Sequence, residues 1–248
     1  MHRKMRSIAV YSLKGGVGKT TLAVNLAWAS AILSSRRTLL WDLDPQAAAS
    51  YLLEGLRPGA HDARAVFSKD IVPAKVVRKT NVERLDLIAA DVSLRGLDNL
   101  LHDLGKKRRL EKLLERVARD YDRVILDCPP GLTETSEQVL RAADLIVVPL
   151  IPSPLSQRAL DEVIAFLDKH GIKRAALVPL YNMLDRRRTL HLSALEENPR
   201  WPVIPMASAL ERMATEYKAL GEFAPRSPAA TAIASLWQGI ERKLAKLN

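Results

Sequence analysis

Two lysines, three glycines and two threonines fall within eight consecutive positions, Lys14-Gly15-Gly16-Val17-Gly18-Lys19-Thr20-Thr21, and together they suit one kind of chemistry. Glycines let the backbone curl so that successive N–H groups face a single anion. A helix opening at Thr20 would add its positive end at the same point. Lys19 is placed to neutralise phosphate charge and the Thr20 hydroxyl to ligate Mg²⁺. The general phosphate-loop pattern asks for glycine at position 13, where this chain has Leu13, and for one lysine only, so Lys14 is surplus.

Three aspartates extend the set. The apolar run Thr38–Trp41 ends in Asp42-Leu43-Asp44-Pro45-Gln46, and Val124-Ile125-Leu126 ends in Asp127-Cys128-Pro129-Pro130-Gly131. Buried parallel strands that stop on acids do so at the sheet edge where a ligand sits. Asp42 and Asp44 close the first run with one residue between them, and two acids set so close at one strand end should have different jobs. Asp127 suits holding Mg²⁺ directly or through its water. Asn182 follows the apolar run Ala175–Leu180 and could pair with an adenine edge through both amide groups or cap a turn.

Alternating elements must position these groups. Strand-like runs at Ile8–Leu13, Thr38–Trp41, Leu85–Ala90, Tyr121–Asp127, Leu145–Leu150 and Ala175–Leu180 are separated by helical patterns, among them Thr20–Leu33, Lys106–Tyr121 and 155–170. This predicts an α/β fold, a single doubly wound, mostly parallel sheet flanked by helices, with residues 1–248 forming one domain. Residues 54–84 are broken by Pro58, Gly59 and Pro73, and the short groups Ala65-Val66-Phe67 and Val76-Val77 suggest small helices. In the last segment Ile233, Leu236, Trp237, Ile240, Leu244 and Leu247 share one helical face. That face either packs on the sheet or lies on a membrane, and the absence of a linker before it favours packing.

Composition narrows the classes. In 248 residues, 48% hydrophobic and 27% charged, no apolar run approaches the roughly 20 needed to span a bilayer, which predicts a cytoplasmic protein. The single cysteine, Cys128, excludes an internal disulfide and a cysteine-built cluster within one chain, and it reads as a small buried residue. A net charge of +10 favours polyanionic partners, nucleic acid or an anionic membrane surface. The run Lys106-Lys107-Arg108-Arg109 reads as a solvated face sooner than as a nucleic-acid patch.

The loop Lys14–Thr21, with Asp-Leu-Asp-Pro-Gln and Asp-Cys-Pro-Pro, resembles the ParA/MinD family of deviant Walker A ATPases, nearest the small ParA/Soj-type partition and cargo-positioning ATPases. The resemblance implies ATP and Mg²⁺ as cofactors, with ATP bound by Lys14, Gly15, Gly16, Val17, Gly18, Lys19, Thr20, Thr21 and Asn182. It implies Lys14, Lys19 and Asp44 as catalytic residues. Lys14 would reach the phosphates of the partner subunit in a nucleotide-sandwich homodimer, and Asp44 would position the attacking water. The metal would be held by Thr20, Asp42 and Asp127, and the adenine by Asn182, at the start of an Asn-x-x-Asp-x-Arg segment. Phe223-Ala224-Pro225-Arg226-Ser227 is similar to a DNA-contacting loop of the partition branch, which puts Arg226, and Arg200 near the preceding strand, on a nonspecific DNA surface. Here the chain departs from the pattern: Ala224 replaces the usual aspartate, and Met206-Ala-Ser-Ala-Leu210 lacks the usual arginine and asparagine. The implied function is an ATP-gated, DNA-binding dimer that segregates or positions a chromosome, plasmid or protein cargo. Slow hydrolysis would be stimulated by a ParB-like or adaptor partner, and the ATP state would be nucleoid-associated. A MinD-like membrane regulator using the C-terminal helix is the alternative. The short lead before the first strand leaves no room for an N-terminal helix-turn-helix.

Overall fold

The computed structural model describes residues 5–55, 63–68, 72–105, 108–172 and 175–247. In chain order the elements are β1 (Arg6–Val10), α1 (Lys19–Leu33), β2 (Thr38–Asp42), α2 (Ala48–Glu54), α3 (Ala65–Ser68), β3 (Val77–Lys79), β4 (Leu85–Ile88), α4 (Leu97–Leu104), α5 (Arg109–Val117) and β5 (Arg123–Asp127). They continue as α6 (Glu134–Ala142), β6 (Leu145–Leu150), α7 (Pro154–Lys169), β7 (Ala176–Leu184), α8 (Thr189–Glu197), β8 (Val203–Pro205), α9 (Ser208–Glu211), α10 (Met213–Glu216), α11 (Leu220–Phe223) and α12 (Pro228–Leu244). The eight strands form one sheet in the order β3-β4-β2-β5-β1-β6-β7-β8, parallel throughout except for β3. Strand order reverses around β1, which lies between β5 and β6, and such a switch point opens a crevice at the carboxyl ends of the strands.

Alternation along the central strands divides the interior in two. Ala9, Leu39, Trp41, Val124 and Leu126 pack beneath α3 to α7, whereas Ile8, Val10, Leu40 and Ile125 pack beneath α1, α2 and α12. Strands buried on both faces explain why these runs read as continuous apolar segments. The last helix settles on the second core: Ile233, Leu236, Trp237, Ile240 and Leu244 are all buried, each side chain of this size stabilising by roughly 1.5–3 kcal/mol. At its foot Glu241 accepts a two-pronged ion pair from Arg123 (Nε–Oε1 2.7 Å, Nη2–Oε2 2.9 Å) and a further contact from Arg36 at 3.3 Å. Burial pushes the Glu241 carboxyl up, but the two guanidinium groups outweigh it and hold it below the usual glutamate range.

Three expectations need correction. Val77 does not begin a small helix: after a 3₁₀ turn at Pro73–Lys75, Val77–Lys79 pairs antiparallel with β4 as the sheet edge. Asn182 is not past its strand, because β7 runs on to Leu184 through an irregular pairing with β8, with Met183 at φ 54°. Arg109 is neither solvated nor part of a surface patch. It is 3% exposed, and its Nε and Nη2 donate to the Phe67 and Val66 carbonyls at 2.8 and 3.1 Å, tying α3 to α5. Lys106 and Lys107 of that run, and Pro58 and Gly59, lie outside the described residues.

Candidate nucleotide site

The loop between β1 and α1 crosses the carboxyl edge at the switch point. Gly16 and Gly18 take left-handed φ values of 73° and 83°, which lets the chain fold back before α1 starts at Lys19. Gly18 is also a close approach: a Cβ there would fall 2.5 Å from Asn182 Nδ2. No acid occupies the first turn of α1, so its positive end is left for an anion. Tyr11 braces the loop from below, its hydroxyl donating 2.9 Å to the carbonyl of Gly131 in the turn after Asp127.

Lys19 is 7% exposed and donates from Nζ to the Lys14 carbonyl at 3.0 Å, curling its ammonium under the loop. Burial lowers its pKa, and the Asp127 charge works against that. Lys14 stands half-buried at the rim, its ammonium making no hydrogen bond or ion pair with a described residue. Val17 is buried, and Gly15 and Gly16 are exposed.

The register explains how two distant aspartates meet. Asp42 and Asp127 are direct Cα partners across β2 and β5, and Val10, just before the loop, pairs with Asp127 on its other side. Their settings differ. Asp42 is well partnered: Oδ2 accepts from the Ser50 backbone and hydroxyl at 2.9 and 2.8 Å, and Oδ1 accepts from Asp44 N at 3.1 Å. Burial pushes its carboxyl up to about 6 despite these donors. Asp127 is fully buried, and neither of its oxygens has a hydrogen-bond partner among the described residues. Burial, then the Asp42 charge, raises it well above the usual carboxylate range; the Thr20 hydroxyl is near enough to lower it without completing a hydrogen bond. An orphaned buried carboxylate is expensive, and a divalent cation beside Thr20 would relieve it. Mg²⁺ takes one or two carboxylates and completes its shell with phosphate and water, so Asp127 and the Thr20 hydroxyl are a donor set that fits it.

Asp44 is not on the strand, since β2 ends at Asp42; it lies half-buried in the turn that follows, its Oδ1 accepting from Gln46 N at 2.9 Å, and its charge is felt by Asp42, Asp127 and Lys19. Asn182 is 5% exposed and donates from Nδ2 to the Val17 carbonyl at 2.8 Å, so half of its amide is committed to the loop. Cys128 is buried, and burial pushes its thiol well up, which makes it inert.

The two candidate DNA arginines are both exposed. Arg200 follows α8, whose Ala194 and Leu195 pack on the first core, whereas Arg226 follows Phe223 and Ala224, which pack on the second. Two other C-terminal cations are partnered: Arg187 with Asp185 at 2.9 Å, and Arg212 with Glu216 and the Phe223 ring. Asn25 and Ser50 were missed in the sequence. The signal for Asn25 was a lone amide inside the apolar stretch Leu22–Ala31.

A glycine loop entering a helix at the switch point, with a buried lysine and an unpartnered strand-end aspartate, defines a P-loop nucleotide-binding protein of the doubly wound α/β class. Residues 5–175 match the AAA domain family. The chain is 31% identical over 237 residues to the sporulation initiation inhibitor protein Soj of Bacillus subtilis, covering 89% of this chain and 92% of Soj. It is 31% identical over 201 residues to the chromosome partitioning protein ParA of Myxococcus xanthus, covering 77% of this chain and 70% of that protein. Among solved structures, cobyrinic acid a,c-diamide synthase from Mycobacterium smegmatis with bound ATP analogue and magnesium superposes with a TM-score of 0.83 at 26% identity, over 98% of this chain and 96% of that one. The chain belongs to the ParA/MinD family of ATPases.

Proposed function

We propose that this ATPase pairs two copies of itself around ATP and Mg²⁺, holds DNA without sequence preference in that state, and releases it on hydrolysis to position a cargo. The observation that carries the reading is Asp127, an unpartnered carboxylate paired in register with Asp42 and set beside a lysine- and glycine-built anion cradle. When bound, Mg²⁺ neutralises phosphate charge and polarises the bond that breaks. Asp127 and Thr20 would hold it, and Asp42, its oxygens already accepting three hydrogen bonds, would act through water. Lys19 and the backbone of residues 15–21 bind the phosphates. Asp44, in the turn just beyond β2, orients the attacking water. Asn182 keeps one amide hydrogen and its carbonyl oxygen for the base. Lys14, unpartnered at the rim, is the group that reaches a second copy. Exposed apolar side chains on loops and helix starts at the same edge, Leu132, Leu155, Leu190 and Met206, support a pairing face there. The single-domain reading over residues 1–248 goes with it.

DNA is favoured over membrane because α12 has spent its apolar face on the core, leaving Arg242, Lys243 and Lys246 outside. Arg226 is the phosphate contact on this reading, with Arg200 contributing. Co-sedimentation with DNA and with anionic vesicles, each in ATP, ADP and no nucleotide, tests it: retention on DNA only with ATP is expected, and ATP-dependent retention on vesicles alone would replace it with the membrane reading.

A further inference from the structure

Between β8 and α12 the chain makes three four-residue helical turns, α9, α10 and α11, broken at Tyr217, whose φ is 51°. Turns this short have almost no internal stability and are held by what they touch. Among hydrogen bonds between described residues, apart from those to the flanking Ala207 and Ser227, the ones leaving 208–224 go to two elements only, and both begin at the nucleotide site.

The first is α1, which starts at Lys19. Asn25, 1% exposed and one turn beyond Thr21, donates from Nδ2 to the Thr21 carbonyl (2.7 Å) and towards Met213 Sδ (3.1 Å), and its Oδ1 accepts from Leu220 N (2.8 Å). One amide thus clamps the first turn of the phosphate-loop helix to both α10 and α11. One turn further on, Gly221 lies so close to Trp28 that a Cβ would fall on the indole ring. The second element is α2, which follows Asp44 and supplies Ser50 to Asp42. The next residue, Tyr51, bonds hydroxyl to hydroxyl with Tyr217 at 3.0 Å, with the rings edge to face at 5.3 Å.

We propose that residues 208–224 are the output element of the nucleotide site, with Asn25 and the Tyr51–Tyr217 pair as the hooks through which the phosphate loop and the Asp42 strand set its position. Asn25 and Tyr217 are positioning residues: neither touches the phosphates, and both act through the helices they hold. The segment carries Arg212 and Lys218 and leads into Arg226, so movement of the hooks reaches the basic surface. The proposal rests on the reading of residues 14–21 as the phosphate site, but not on DNA being the partner.

The test is hydrogen–deuterium exchange on the full chain with Mg²⁺ and either ADP or the slowly hydrolysed analogue AMPPNP, following peptides within 208–224 and, as a control, within α12. In the wild type the 208–224 amides should differ about threefold or more between the two nucleotides, with α12 unchanged. Asn25→Ala should bind AMPPNP within about threefold of wild type while that difference falls below about 1.5-fold. Tyr217→Phe, which loses only a partly exposed hydroxyl, should keep the fold and lose about half of the difference. A merely structural role would loosen the segment equally in both nucleotides. If AMPPNP binds yet wild-type exchange in 208–224 is the same in both states, or if the difference survives undiminished in the variants, the relay is overturned. Should Asn25→Ala fail to fold, Tyr217→Phe alone decides. Failure of the chain to bind AMPPNP would instead overturn the phosphate-site reading, and the relay with it.

Discussion

The carboxyl edge around β1, β2 and β5 and the basic stretch from β7 to α12 solve opposite problems. At the first, charge is taken out of water: Lys19, Asp42 and Asp127 are all less than a tenth exposed, and Asp127 has no hydrogen-bond partner among the described residues. In the second, Arg200 and Arg226 stand in solvent. Buried, unsatisfied charge is costly unless a ligand completes it, so the first region defines its ligand closely. Exposed cations cost little and define only the sign of what they meet.

Single changes should therefore act very unequally in the two regions. Lys19→Ala removes the one ammonium buried beneath the loop, and ATP affinity measured by calorimetry should fall by about 100-fold or more, the loss of a charged hydrogen-bond set in a buried site. Retained micromolar binding would erase the contrast. Glu241→Gln removes a carboxylate shared by Arg123 and Arg36 at the foot of α12, and unfolding should cost about 1–3 kcal/mol less at pH 7. Because the folded carboxyl lies below its ordinary value of 4.5, its contribution is complete above that value and lost as pH falls through the lower folded one, so melting curves of wild type and variant should converge in acid. Arg226→Glu should act least: DNA retention weakens, and the slope of log affinity against log salt falls by about one unit per lost phosphate contact. An unchanged slope would remove Arg226 from the surface.

The same inequality governs what could be read from the sequence. Strand-end acids after apolar runs are a one-dimensional signal, and so the meeting of Asp42 and Asp127 at the loop was legible before their direct pairing in the sheet was seen. Contacts that depend on how helices sit were not. Arg109 belongs to a basic run by spacing but is buried because α3 presents two carbonyls to it. Val77–Lys79 is too short for its period to show, and its strand character comes from β4. β7 outlasts its apolar run because β8 pairs with it as far as Leu184.

Sedimentation velocity of wild type, Lys14→Ala and Asp44→Ala with ATP, ADP and no nucleotide, each in Mg²⁺, tests most directly whether the loop is half of a shared site. The account predicts a wild-type dimer in ATP alone, a lasting ATP dimer in Asp44→Ala because hydrolysis is blocked, and a monomer in Lys14→Ala that still binds ATP. A Lys14→Ala variant that dimerises as wild type does, or a wild type that stays monomeric in saturating ATP and Mg²⁺, would contradict it.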